Sequence, residues 1–400
     1  MTASILTNVD LAPRDPILGI TEAFNADANP AKVNLGVGVY YNDNGKVPVL
    51  ECVKRAEQLL AADIAPHTYL PIDGLPAYVR AVQGLVLGND SAALRDQRVV
   101  GVQALGGTGA LKIAADFLYR VNPKATVWIS DPSWENHRAL FEAAGFEVKN
   151  YAYYNAATRG LDFDSMIGAL NSLPAAAIVV LHACCHNPTG ADLTVEQWTR
   201  VIDIVKSREL VSILDLAYQG FADGLEQDGA VVKRFAETLN PVFIASSFSK
   251  SFSLYGERIG ALNVVTVSKD EAARVLSQLK RIVRTTYSNP PGHGCQVVTK
   301  VLTTPELRAQ WEQELAQMRE RIKQMRKALV DKVQSKKSGY DIGFVLRQRG
   351  MFSYSGLSKA VVEKLRAQYS IYALDSGRIC VAALNNQNVE QVAEAIAALV

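Results

Sequence analysis

Between about residues 48 and 310, short apolar runs alternate with helical stretches. The runs are Val99 to Ala104, Thr126 to Ser130, Ala176 to His182, Ser212 to Leu216, Val242 to Ser246 and Ala261 to Val267. They are continuous rather than alternating, as strands buried on both faces are. Strands that alternate with helices build a mainly parallel sheet covered on both sides, because each parallel pair needs a crossover to bring the chain back. The expected fold class is therefore α/β, with ligands held at strand ends. Trp311, Leu315, Met318, Ile322, Met325, Leu329 and Val333 then recur at spacings of three and four. That stripe predicts one long amphipathic helix whose apolar face is core. The helix reads as a bridge into a smaller α+β domain. The expected division is an N-terminal arm over 1–13, a large domain over 48–317, and a small domain made of 14–47 with 318–400.

The chemistry concentrates in Ser247-Phe-Ser-Lys250-Ser-Phe-Ser-Leu-Tyr-Gly-Glu-Arg258-Ile-Gly260. Lys250 falls on a loop at a predicted strand end, among small hydroxyl residues and with Arg258 close behind. Partial desolvation there lowers a lysine pKa and frees the neutral amine for covalent bonding to a phosphorylated aldehyde cofactor. The ordinary alternative is a solvated loop lysine. Asp215, in Val211-Ser-Ile-Leu-Asp215-Leu-Ala-Tyr218, puts a carboxylate inside a buried run, which is costly without a cation beside it. A pyridinium nitrogen is such a cation, and holding it protonated makes the ring an electron sink. A turn-capping aspartate is the alternative. Tyr218 and Asn187, in His186-Asn187-Pro-Thr-Gly190, are candidate donors to the ring's phenolic oxygen. The same residues also suit simple turn chemistry.

Phosphate needs a separate cradle. Arg98 to Ala104 followed by Leu105-Gly106-Gly107-Thr108-Gly109 reads as a strand, a glycine turn and a helix start, where backbone N–H groups collect an anion. Arg258 adds a bidentate guanidinium and Ser247 a hydroxyl.

With these segments in order, the chain resembles the class I, fold-type I pyridoxal-phosphate aminotransferases of the aspartate and aromatic-amino-acid type, most of all the bacterial aromatic (tyrosine) members. The similarity extends through Asp15-Pro-Ile-Leu-Gly, Val33-Asn-Leu-Gly-Val-Gly38, Tyr69-Leu-Pro-Ile-Asp-Gly, Asp131-Pro-Ser-Trp134-Glu-Asn-His137, Tyr287-Ser-Asn-Pro-Pro and Ser376-Gly-Arg378. It implies a seven-stranded sheet and pyridoxal 5'-phosphate (PLP) as cofactor. Lys250 would be the Schiff-base lysine and carry the proton between Cα and the cofactor's aldehyde carbon. Asp215 would hold the pyridine nitrogen with His137 behind it, and Trp134 would stack on the ring. Gly107, Thr108, Ser247 and Arg258 would take the phosphate, joined by Tyr69 from the second subunit of a homodimer. Arg378 would grip the substrate α-carboxylate, helped by Asn187, Trp134 and the backbone of Gly38, while Arg284 from the other subunit would meet a distal carboxylate.

The resemblance also implies small-molecule partners, amino acids and 2-oxo acids, exchanged in two half-reactions with ping-pong kinetics. Tyr41 and Val47 are similar to members that use tyrosine and phenylalanine, whereas Val39, Thr108 and Asn289 are similar to the aspartate type. A broad enzyme with 2-oxoglutarate as acceptor is expected, an aspartate aminotransferase restricted to dicarboxylates being the alternative.

Other classes fit poorly. The formal net charge of +2 over 400 residues argues against a nucleic-acid partner. No apolar run approaches the roughly 18 residues of a membrane span. The opening residues have no leader-like character, and five cysteines without a regular framework suit a reducing, cytoplasmic setting. No metal is expected: Cys184-Cys185 are adjacent with no second pair, and His137 and His186 read as structural. A nicotinamide enzyme lacks its G-x-G-x-x-G spacing, with no well-placed acid about 20 residues on. A non-catalytic protein has no need of Lys250, Asp215 and Arg258 together. A decarboxylase or lyase on the same fold is disfavoured by two carboxylate-facing arginines.

Overall fold

The computed structural model describes residues 4–12, 16–64, 66–239 and 241–400. The ends of the predicted arm (1–3 and 13), its junction with the small domain and Asp15 lie outside the described residues. A seven-stranded sheet forms the centre. Its strands along the chain are β1 (Val99–Leu105), β2 (Thr126–Asp131), β3 (Glu147–Ala152), β4 (Ile178–His182), β5 (Val211–Leu216), β6 (Val242–Ser247) and β7 (Ile259–Val265), in spatial order β1-β7-β6-β5-β4-β2-β3. All neighbouring pairs are parallel except those of β7, which runs antiparallel to both β1 and β6.

Both faces of the sheet are covered, which is why the central strands read as unbroken apolar runs. Along β4, Ile178 and Val180 join one core with Val127, Ile213, Phe243 and Leu262. Val179 and Leu181 point the other way, into a core shared with Leu214, Ile244 and Ala261. The edge strand β3 escaped the sequence reading. It pairs on one side only, and Glu147, Lys149 and Asn150 are exposed, so its polar alternation does not look like a buried strand.

The predicted long helix spans Pro305–Lys336, with Trp311, Leu315, Met318, Ile322, Met325, Leu329 and Val333 all buried. At 1.5 Å per residue its 32 residues run about 48 Å. Near its start, Trp311 stacks on Phe252 at 4.5 Å and donates its indole N–H to the Ser251 carbonyl at 2.7 Å. The helix thus braces the Lys250 loop from behind. Towards its other end, short pairings tie distant parts of the chain together. Val33–Asn34 lies parallel to Ile371–Tyr372, and Phe352–Tyr354 antiparallel to Arg378–Cys380. Among the described residues no helix is long and apolar enough to cross a membrane.

Candidate active site

The parallel strands deliver their C-terminal ends to one rim, where a cavity of about 280 Å³ opens. It is lined by Gly38, Gly107, Thr108, Trp134, Asn187, Asp215, Tyr218, Ser247, Lys250 and Arg258, ten residues singled out in the sequence. They come from five strand ends and one segment far upstream. The pairing register explains the convergence: His182 sits opposite Asp215, Asp215 opposite Ala245, and Ser247 opposite Gly260.

Lys250 is half-buried, with its Nζ 4.9 Å from the centroid of the Tyr218 ring. Desolvation, with the Arg258 charge behind it, brings its amine down to about 8 against the pull of Asp215. Asp215 is 6% exposed and bonds to His137 through Oδ2 at 3.0 Å. Burial works to raise its pKa, but the His137 hydrogen bond, the neighbouring imidazoles and the Lys250 amine outweigh it and hold the carboxyl below its ordinary value. Its Oδ1 is buried without a hydrogen-bond partner. A carboxylate oxygen left bare inside a cavity calls for a cationic N–H from a ligand. His137 is fixed in turn by the Ser133 hydroxyl at 2.9 Å. His182 lines the cavity between the His137 and His186 rings, at 5.0 and 4.3 Å, and neither of its nitrogens has a partner. Burial presses His182 down to about 3, so it stays neutral.

The anion cradle forms where β1, β6 and β7 end or begin together. Gly106 (φ +68°) opens the helix Gly106–Val121, and a Cβ there would stand 2.5 Å from Arg258 Nη2. Only glycine lets the guanidinium approach the helix N-terminus so closely. Arg258 Nη1 donates to Ser249 Oγ at 3.2 Å, and Ser247 Oγ lies 3.3 Å from Ser249 Oγ. Helix N–H groups, two hydroxyls and a guanidinium therefore face one spot, the donor set a phosphate needs.

Arg378 stands just behind the cavity wall. It is 1% exposed, donates to Asn187 Oδ1 at 3.0 Å and to the Gly36 carbonyl at 2.6 Å, and lies 4.3 Å over the Phe352 ring. No carboxylate of the described residues forms an ion pair with it, and its Nε has no partner. Burial lowers its pKa. Because Asn187 spends its oxygen on Arg378, its amide N–H groups remain for the cavity. Burial also pushes the Tyr218 phenol up, keeping it a donor.

Two predicted residues stand apart. Tyr69 is 91% exposed, and Arg284 is exposed with its guanidinium on the Ser288 hydroxyl; neither lines the cavity. Conversely, Ser249, Tyr255 and His182 line it without having been singled out. Ser249 was open to discovery as a hydroxyl beside the lysine. Tyr255, whose oxygen accepts the Tyr40 N–H at 2.9 Å, carries no signal in sequence.

The model for aminotransferase class I and II matches residues 30–396. The aspartate aminotransferase of Pseudomonas aeruginosa is 58% identical, covering 98% of this chain and 99% of that protein. The aromatic-amino-acid aminotransferase of Escherichia coli is 49% identical at the same coverage. Among solved structures, the aromatic-amino-acid aminotransferase of Burkholderia pseudomallei, covalently bound to pyridoxal phosphate, superposes with a TM-score of 0.97, 60% identity and coverage of 99% of this chain and 100% of that one. That of Psychrobacter sp. B6, cocrystallised with aspartic acid, gives 0.96 at 44% identity, covering 99% of each chain. With an α/β sheet whose strand ends gather a lysine, an aspartate and an anion cradle, and with matches spanning nearly its whole length, the chain belongs to the class I and II aminotransferases.

Proposed function

We propose that this protein is a PLP-dependent aminotransferase moving amino groups between tyrosine, phenylalanine or aspartate and 2-oxoglutarate by a ping-pong mechanism. The observation that carries it is the unpartnered Asp215 Oδ1 in the cavity that also holds Lys250, with the Gly107, Thr108, Ser247 and Arg258 cradle on the same rim. These residues fit PLP at each of its polar edges. When bound, PLP supplies an aldehyde carbon to carry the amino group and a protonated ring to take up the electron pair released at Cα.

The chain's part is binding and proton movement. Arg378 pairs with the substrate α-carboxylate, and Asn187 locks the guanidinium in place, so Cα is turned towards Lys250. Lys250 Nζ, neutral in a usable fraction near pH 7, takes the Cα proton. Asp215, held ionised by His137, would hold the ring nitrogen in its protonated form through the free Oδ1. Trp134, which lines the cavity, would cover one face of the ring and keep water from it. Tyr218 and Asn187 would donate to the phenolic oxygen.

A homodimer with shared sites belongs to the same proposal. Tyr69, a large aromatic almost wholly exposed, and Arg284, an exposed guanidinium with no ion pair among the described residues, would serve the partner's phosphate and the substrate's distal carboxylate. The small unit would comprise 14–47 and 318–400, closing over the large one at 48–317. Five free, buried cysteines support a cytoplasmic setting. The dicarboxylate-restricted reading draws on Val39 and Thr108, both lining the cavity. Steady-state kcat/KM for aspartate, tyrosine and phenylalanine with 2-oxoglutarate decides between them. Comparable values support the broad enzyme, and negligible aromatic turnover leaves an aspartate aminotransferase.

A further inference from the structure

A second cavity, of about 430 Å³, shares the loop after β4 with the active site: Cys184 lines the one and Asn187 the other. Cys184 is joined there by Asp228, from the first turn of the helix Leu225–Thr238, and the adjacent Cys185 completes the cluster without lining the cavity. The two sulfurs and a carboxylate oxygen of Asp228 all lie within 4.8 Å of one another, and all three residues are buried. Sequence spacing excluded a zinc motif because the third donor comes from a separate element.

Carboxylates outnumber cations along the cavity, although the buried Arg326 faces Cys185 from the other side of the cluster. Asp192, Asp223, Asp228 and Glu196 line this cavity against Arg234 and Arg349. Arg349 is engaged by Asp223, and Arg234 by the Val195 carbonyl and Thr199 hydroxyl. Asp228 Oδ2 accepts the N–H groups of Gly220 and Ala222 at 2.8 and 3.0 Å. Its Oδ1 accepts only that of Asp223, at 2.9 Å, which leaves a lone pair. We propose that Cys184, Cys185 and Asp228 bind a soft divalent cation of the zinc class. Two thiolates and a carboxylate would supply three corners of a tetrahedron, and a water on the side of Cys184 and Asp228, which line the cavity, would supply the fourth. On binding, two S–H bonds break, two metal–sulfur bonds form and two protons leave to solvent, with no change of oxidation state.

The site is wired to the catalytic one. Cys185 Sγ donates to the Tyr218 carbonyl at 3.8 Å, and Asp228 holds the N–H groups just beyond, so the cluster grips both ends of the segment 218–222. Metal loading removes the thiol proton that the Tyr218 carbonyl accepts. Occupancy therefore perturbs the backbone of the segment that carries the Tyr218 ring beside Lys250.

Cadmium is the probe, titrated into the full-length holoenzyme and followed by its ultraviolet cadmium–thiolate absorption, with zinc then competing it away. One equivalent should saturate the signal, and the visible absorption of the bound cofactor should change with the same midpoint. Cys184→Ala should weaken binding at least about tenfold, as much as an outer-shell change costs; Cys184→Ser replaces it should the alanine variant not fold. Cys52→Ala, on the helix Glu51–Ala62, should change nothing. An absent cadmium–thiolate signal, or one unaltered by both Cys184 variants, overturns the site, and an unmoved cofactor band overturns the coupling. Neither result bears on whether the protein transaminates.

Discussion

The cavity makes a quantitative demand on Lys250. With its amine at about 8 instead of 10.5, roughly one molecule in ten carries a neutral nucleophile at pH 7, against about one in three thousand for an ordinary lysine, a gain of roughly 300-fold. A base with a depressed pKa gains its reactive form as pH rises through that value. The limiting rate at which apoenzyme recombines with PLP should therefore climb about tenfold from pH 7 to 9 and then flatten. Stopped-flow absorbance at saturating cofactor measures it, and borohydride trapping assigns the bond to Lys250. Working above pH 7 keeps the cofactor's phosphate, whose second proton leaves near pH 6, in one state. The causes of the shift supply the controls. Arg258 lowers the amine and Asp215 raises it, so Arg258→Gln should move the midpoint up and Asp215→Asn should move it down. A rate still rising roughly tenfold per pH unit from pH 8 to 10, as an ordinary lysine's neutral fraction does, or midpoints moving the opposite way in the two variants, refutes the reasoning.

Lys250→Ala should abolish turnover while leaving the fold intact, and near-wild-type activity would contradict the covalent role. Asp215→Ala should cut kcat far more than it changes KM, because the electron sink matters chiefly in the transition state; a change in KM alone would contradict it. Arg378→Ala removes a buried, hydrogen-bonded charge partner, worth about 2–5 kcal/mol, so kcat/KM for every amino acid should fall roughly 30- to 5,000-fold. A loss confined to dicarboxylates would place the α-carboxylate elsewhere. Trp311→Ala empties a fully buried site beneath the lysine loop. It should cost about 3–5 kcal/mol in guanidinium unfolding, and a cost under about 1 kcal/mol would mean the brace is not structural.

How much of this was open to reading depended on what each residue spends its side chain on. β4, β5 and β6 are buried on both faces, so Ile178–His182, Val211–Leu216 and Val242–Ser247 announce themselves by composition. β3 faces solvent along Glu147, Lys149 and Asn150 and does not. The reversed direction of β7 was legible in principle, since the loop from Phe248 to Arg258 holds no crossover helix and a parallel return would need one. Lys250, Asp215 and Arg258 stood out as charges against apolar runs. His182 did not, because a neutral histidine at a strand end resembles any other, and its place between two further imidazoles exists only once β2, β4 and their loops are assembled. The pairing of Val33–Asn34 with Ile371–Tyr372 spans nearly the whole chain, and no local pattern encodes it.

The reversed strand has a final consequence. Because β7 starts where β6 and β1 stop, the two ends of the Lys250 loop meet, with Ser247 and Ser249 on entry facing Arg258 on exit and Arg258 Nη1 donating to Ser249 Oγ at 3.2 Å. The loop is thus closed into a ring by the protein's own hydrogen bonds, Arg258 to Ser249 and Phe248 N–H to the Ile259 carbonyl, at the spot where a bound phosphate would sit. Surface connections normally absorb an added or deleted residue with little harm. Here a one-residue insertion between Ser249 and Arg258 would pull either the lysine or the guanidinium out of register, disabling the enzyme without touching any residue that does chemistry.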